Sequence, residues 1–267
     1  MQKVNSATKS RLIAYPQAPF LQIRQTLHSD RAYESHAHTT LSIGYIVEGK
    51  TRFQTPHGTF LLEHGGLALI EPHVQHACNP FEEACRSYVM VYVDTAFCAE
   101  LLGCQALGRF TSSLVLNKAL FDTFFQTIEA LIQGYGAKHI KTLQTWLKTF
   151  LTLYLTPSLP TSPSCMQEVA WFLEHRFDEP LSLHDLAHRF SQNPFVLVRR
   201  FKARYGCTPK HYWLDMRIHH AKTLLQQGVS LALCAQYCGF VDQSHFHRFF
   251  KRRTALSPKE YQVNFIQ

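Results

Sequence analysis

Two histidine pairs of the form SHxH lie far apart in this chain, "SHAH" at 35–38 and "SHFH" at 244–247. Two imidazoles so spaced can share a ligand only if the backbone points them the same way. In extended backbone, residues i and i+2 face one side, so His36 and His38 can converge. On a helix the same step turns a side chain by about 200°, so His245 and His247 diverge and cannot readily hold one ion. A third imidazole, His76 in "IEPHVQHACNP", could join the first pair, and three imidazoles suit Zn, Fe or Ni. The same rings could instead hydrogen-bond an organic ligand, or serve only the structure. "CAQYC" at 234–238 has i,i+4 spacing, but no second cysteine pair completes a zinc set. Two small residues facing a core is the simpler reading.

The second histidine pair belongs to a different chemistry. On a helical wheel of "SHFHRFFKRR", Phe246, Phe249 and Phe250 share one ~100° arc, as a core face does. Ser244, His247, Arg248, Lys251 and Arg252 gather opposite, with His245 near the boundary, and Gln243 and the N-cap candidate Asp242 precede them. The stretch from Asn193-Pro194 is organised alike: Leu197 and Phe201 turn inward, while Phe195, Val198, Arg199 and Lys202 lie on another face. Exposed Phe195 and Val198 suit thymine methyl groups, and Arg199 can take a guanine edge or a phosphate. The competing reading packs Phe195 on a neighbouring helix, and any one basic face is also consistent with ordinary solvated charge.

The elements that carry these faces repeat. "LSLHDLAHRFSQNPFVLVRRFKARYGCTPKHY" and "VSLALCAQYCGFVDQSHFHRFFKRRTALSPKEY" each give a short helix, a turn, a longer basic helix, then "TP" or "SP" followed by an aromatic. Short helix, tight turn and basic helix is the helix-turn-helix pattern, whose second helix enters the major groove. Residues 164–267 hold fourteen Lys and Arg against eight Asp and Glu, most of the net charge of +8, which fits a polyanionic partner.

Upstream, "TPSLPTSPS" at 156–164 reads as a linker. Residues from about 20 to 93 alternate in short strands broken by Gly and Pro turns, as in a small barrel or sandwich. From about 94 to 155 the period becomes helical, in "NKALFDTFFQTIEALIQ" and "IKTLQTWLKTFLTLYL". The second of these needs a partner for its apolar face, either its own barrel or a second copy of the chain. Eight scattered cysteines fit reduced thiols. Neither a leader-like apolar run nor ~18 consecutive apolar residues occurs, so a cytoplasmic protein that does not span a membrane is expected.

The C-terminal part resembles the DNA-binding domain of the AraC/XylS family of bacterial transcription regulators. The likeness covers about 164–262, on "LSLHDLAHRF", "NPFVLVRRFKARYGCTPKHY", "RIHHAKTLL" and above all "CGFVDQSHFHRFFKRRTALSPKEY". It implies two helix-turn-helix units joined by a helix at about 208–226, reading adjacent major-groove turns. Its base-reading positions fall on Phe195, Val198 and Arg199 in the first unit, and on Gln243, Ser244, His247 and Arg248 in the second. The chain departs from the pattern at Thr254 and Ala255, where an aromatic and a glycine are usual. "HAHTTLSIGYIVEG…GGLALIEPHVQH" resembles the cupin-like sensor domain of many members. Metal-binding cupins usually add a Glu near position 42, which is Ser42 here, whereas metal-free regulators keep similar histidines.

The expectation is therefore an α+β two-domain protein. Residues 1–155 form a cupin-like effector-binding and dimerisation domain, 156–164 the linker, and 165–267 an all-α domain with two helix-turn-helix motifs. The expected partners are double-stranded promoter DNA, a small-molecule effector at His36, His38 and His76, RNA polymerase and a second copy. No cofactor is expected, the three histidines being the one place a metal could sit. The resemblance implies activation rather than repression. The rival readings are a cupin metalloenzyme with a DNA-binding tail and an effector-independent architectural DNA binder.

Overall fold

The computed structural model describes residues 8–156 and 164–266. Apart from its two ends, the expected linker lies outside the described residues.

Strands begin at Lys9, earlier than the alternation predicts: β1 (Lys9–Tyr15), β2 (Ala18–Ser29), β3 (Leu41–Glu48), β4 (Thr51–Thr55), β5 (Gly58–Leu62), β6 (Leu67–Ile70), β7 (Ala77–Pro80) and β8 (Arg86–Val93). Helix α1 (Thr95–Leu102), the short strand β9 (Leu114–Val115), α2 (Lys118–Ile132) and α3 (Ala137–Tyr154) follow. Two sheets form, one ordered β10-β1-β2-β8-β3-β6-β9, in which β10 is Phe265–Ile266, and a smaller one ordered β5-β4-β7. Ile46, Phe53, Leu62, Ala68, Ile70 and Tyr88 fill the space between them. The β3–β4 turn depends on Gly49, at φ 80°, where an added Cβ would lie 2.8 Å from the Cys85 carbonyl oxygen.

Helices α2 and α3 pack on the large sheet. Phe124, Ile128, Leu143, Trp146 and Phe150 bury against Tyr45, Val89 and Val91, and the Trp146 indole donates to the Leu120 carbonyl at 3.0 Å. The apolar face of α3 thus finds its partner within the chain, and Lys138, Lys141 and Lys148 stay exposed.

The C-terminal domain comprises α4 (Cys165–His175), α5 (Leu183–Arg189), α6 (Pro194–Tyr205), α7 (Pro209–Gln226), α8 (Leu231–Tyr237), α9 (Gln243–Thr254) and α10 (Pro258–Val263). The repeat seen in the sequence is kept in detail. Each unit has a seven-residue first helix and a twelve-residue second helix, α5–α6 and α8–α9. All four N-termini are capped by a side-chain oxygen, from Ser182, Asn193, Ser230 and Asp242, satisfying amides that would otherwise lack partners. Both second helices end in a left-handed residue: Gly206 at φ 78° and Ala255 at φ 54°. Cys234 in α8 and Cys238 just after its end are buried, as two small core residues.

The two domains are joined beyond the linker. The last strand, β10 (Phe265–Ile266), runs parallel to β1, and the Leu12 amide donates to the Asn264 carbonyl at 2.8 Å. Leu12 itself packs in the helical domain's core.

Candidate nucleic-acid interface and effector pocket

The wheels drawn from sequence match the burial along both second helices. In α6, Leu197 and Phe201 are fully buried, while Arg199 and Lys202 are exposed and Val198 is half-buried. Phe195 is 85% exposed, so it does not pack on a neighbouring helix. An aromatic ring this open to water is unfavourable in a free protein. In α9, Phe246 and Phe250 are buried and Phe249 half-buried, while Gln243, Ser244, His247, Arg248 and Lys251 are exposed along one side. His245 sits at the boundary against Phe249, with ring centroids 4.8 Å apart, and is turned away from His247's exposed side.

The structure does bring His36, His38 and His76 together. Residues 36 and 76 pair as an antiparallel bridge through amide–carbonyl bonds of 3.0 and 2.9 Å. The ring of His76 lies 4.5 Å from that of His36 and 4.8 Å from that of His38. Each Nδ1 faces a nearby carbonyl: Glu34 at 2.9 Å, Thr40 at 3.0 Å and Val74 at 3.0 Å. A carbonyl only accepts, so each Nδ1 carries the proton and each Nε2 is left as an acceptor. Burial holds all three rings in this neutral form, pushing His76 down to about 4 and His36 and His38 well below the ordinary histidine range. Among the described residues no group of three His, Cys, Asp or Glu side chains is placed to hold a metal ion.

The segment carrying these histidines has two working sides. His36 and His38 face the pocket, and the residues between and before them grip the DNA-binding domain. Glu34 Oε2 and the Ser35 carbonyl accept from Arg253 Nη1 at 2.9 and 3.1 Å, and the Ala37 amide donates to Asp215 Oδ2 at 3.0 Å. Gln75, next to His76, donates to the same Asp215 oxygen at 2.8 Å. Arg31 holds the end of α9 by donating to the Ala255 carbonyl at 2.6 Å. Beside them, the Tyr212 hydroxyl accepts from His73 Nδ1 at 2.6 Å and donates to Glu174.

Sequence reasoning missed the rest of the pocket wall. Arg24 on β2 and Tyr88 and Tyr92 on β8 line it from the sheet, Tyr33 from the segment between β2 and β3, and Lys222 on α7 from the DNA-binding domain. Alternation along "FLQIRQTL" puts Arg24 on the face opposite Leu21 and Ile23, and only the structure shows that this second face is covered as well, with Arg24 7% exposed. Nothing local marks Lys222, which lies far along the chain from the pocket histidines His36, His38 and His76.

Fold and geometry together define a two-domain regulator of transcription: a helical domain with two helix-turn-helix units, joined to a β-rich domain with a ligand-sized cavity between its sheet and α7. The chain matches the family profile described as "AraC-like ligand binding domain" over residues 21–145, and that of a "Helix-turn-helix domain" over 186–264. It belongs to the AraC/XylS family, as a DNA-binding regulator with an N-terminal ligand-binding domain. Similar proteins include the HTH-type transcriptional regulator YbfI of Bacillus subtilis (strain 168), 28% identical over 80% of this chain and 81% of that one. The HTH-type transcriptional activator RhaS of Enterobacter sp. (strain 638) is 25% identical over 86% and 87%. Among solved structures, unsaturated fatty acid bound ToxT from Vibrio cholerae strain SCE256 superposes with a TM-score of 0.64 at 14% identity, covering 98% of this chain and 97% of ToxT. No helix among the described residues is long and apolar enough to cross a membrane.

Proposed function

We propose that the protein reads operator DNA through Phe195, Val198, Arg199 and Lys202 on α6 and through Gln243, Ser244, His247, Arg248 and Lys251 on α9. A small organic effector bound at His36, His38 and His76 governs that reading. The observation that carries this is the two-sided segment 34–38, which joins the pocket histidines to Asp215 on α7 and Arg253 on α9. An effector that favours one packing of this segment shifts the population of the DNA-binding arrangement by its differential affinity. Ligand-bound ToxT supports control of this fold by a small organic molecule.

The regulator acts in the cytoplasm as a homodimer on paired half-sites and recruits RNA polymerase. The naming of RhaS as an activator supports activation. It carries out no catalysis and needs no cofactor. Residues 1–155 serve as the sensing and dimerising part, 156–164 as linker and 165–267 as the DNA-binding part.

Fluorescence anisotropy with promoter fragments from the gene's own neighbourhood, against random DNA at physiological salt, tests the reading. A preference of about a thousandfold or more is expected. Equal affinity for both would point to an architectural binder. Stoichiometric Fe, Zn or Ni lost on His36→Ala, His38→Ala and His76→Ala would point to a metalloenzyme.

A further inference from the structure

The inner wall of the pocket presents three cations, Arg24, Lys222 and Arg253, of which Arg253 is paired with Asp215 and Glu34. Arg24 is 7% exposed, its Nε donates to Ser10 Oγ at 3.3 Å, and it has no carboxylate partner among the described residues. Lys222, from the facing helix α7, makes neither an ion pair nor a hydrogen bond there. Burial, reinforced by the nearby Arg24 guanidinium, brings the lysine down to about 8, although the Asp215 carboxylate, itself paired with Arg253, favours its charge. Two cations held together with no carboxylate between them are costly unless something anionic joins them.

The space around them has two parts. A cavity of about 310 Å³ lies between β1–β2 and α7, with Arg24, His38, Tyr92 and Lys222 on its wall. These four also border a smaller inner chamber of about 40 Å³, into which His36 and His76 face. The larger part is at the lower end of ligand-pocket sizes. The smaller has room for one or two polar groups. Because each Nδ1–H is bound to a carbonyl, His36 and His76 offer Nε2 acceptors to a ligand, while His38 Nε2 lies 3.4 Å from the Ser42 hydroxyl, and a hydroxyl is the neutral donor that fits so small a space. Asp94, at the outer rim, is occupied in capping α1 through the Phe97 amide.

We propose that the effector is a small hydroxylated carboxylate, such as a sugar acid, whose carboxylate is shared by Arg24 and Lys222 and whose hydroxyls donate to the histidines. This inference rests on the effector reading above and narrows it to a chemical class. It also assigns Lys222, a residue of the DNA-binding domain, to the ligand site, so that the bound acid ties α7 to the sheet.

The full-length protein is titrated with D-galacturonate and D-gluconate, with D-galactose and D-glucose as uncharged counterparts, and with hexanoate as a carboxylate lacking hydroxyls. Binding is read by thermal shift and calorimetry. The hydroxy acids should raise the melting temperature with a dissociation constant at least about tenfold lower than either control class. Arg24→Gln and Lys222→Met should each weaken them by about tenfold or more, the loss of one charge-assisted bond. Among the described residues Lys222→Met has no hydrogen bond or ion pair to lose, so without ligand it should melt about as the wild type does, which keeps the test valid if Arg24→Gln fails to fold. Hydroxy acids that bind no better than sugars or hexanoate, or that bind Lys222→Met unchanged, overturn the proposal. The regulator reading fails separately, if promoter and random DNA bind alike.

Discussion

Arg253, in the last turn of α9, meets Asp215 of α7 with its Nε 2.8 Å from Oδ1, an ion-pair contact outside hydrogen-bond geometry. Asp215 is 2% exposed and Arg253 7%. The guanidinium also reaches Glu34, and the carboxylate takes bonds from Ala37 and Gln75. One buried pair thus fastens the second reading helix, the connecting helix and the histidine-bearing segment to each other.

Breaking that pair from one side should be severe. Arg253→Met leaves Asp215 as a buried carboxylate without its cation, and the loss should be about 3–5 kcal/mol. The double variant with Asp215→Asn should recover part of it. Urea denaturation of the full chain measures both. A cost below about 1 kcal/mol for Arg253→Met would show the pair to be as weak as a surface ion pair.

Acid should destabilise the protein from below neutrality. His36, His38, His76 and His219 are kept neutral by burial, His76 down to about 4 and His219 to about 3, against an ordinary 6.5. Between those values and 6.5 the unfolded chain holds more protons, so stability falls as pH falls. Each group contributes up to about 1.4 kcal/mol per pH unit in that window. Asp215 works the other way, because burial lifts it to about 6, so the folded state takes its proton first. One carboxyl against four imidazoles leaves the net sign with the histidines. Urea midpoints at pH 7.5 and 5 should differ accordingly, and His76→Gln should reduce the difference.

The two reading helices should separate base reading from phosphate binding. Arg199→Ala and Arg248→Ala should each lose about 1–3 kcal/mol of discrimination at particular base pairs. Lys251→Ala should weaken all sequences alike and lower the salt slope by about one. Binding to a set of single-base operator variants at several salt concentrations resolves the two effects. Specificity left intact in Arg248→Ala would mean that the reading face of α9 is misassigned.

Ala255 holds a left-handed conformation at φ 54° where its counterpart in the first unit is Gly206. A Cβ in that conformation costs about 1 kcal/mol. Ala255→Gly should therefore raise the melting temperature by roughly 2–4 °C, with operator affinity unchanged. A lower melting temperature would show that the buried methyl group contributes more than the strain it causes.

Much of this protein could be read from its sequence, because the relevant information is local. The 3.6-residue period placed Leu197, Phe201, Phe246 and Phe250 inside and the basic residues outside, and the structure keeps that division. The i,i+2 rule brought His36 and His38 to one side and separated His245 from His247. The departure from pattern at Ala255 was also visible, although its left-handed backbone was not.

Only the tertiary structure could decide what faces what. The partner of α3 proved to lie within its own domain, in α2, α1 and the core they share with the sheet, since a helical stripe states that it needs a cover but not which one. Strand β10 joins β1 across the whole chain, and neither its register nor its partner follows from two residues of sequence. Asp215 meets Ala37 and Gln75, and Lys222 enters the histidine pocket, from a helix whose residues carry no local mark of that role. The sequence alone determined which faces exist, because periodicity is a property of neighbours along the chain. The structure decided how those faces meet, because burial and charge pairing depend on contacts between segments that the chain keeps far apart.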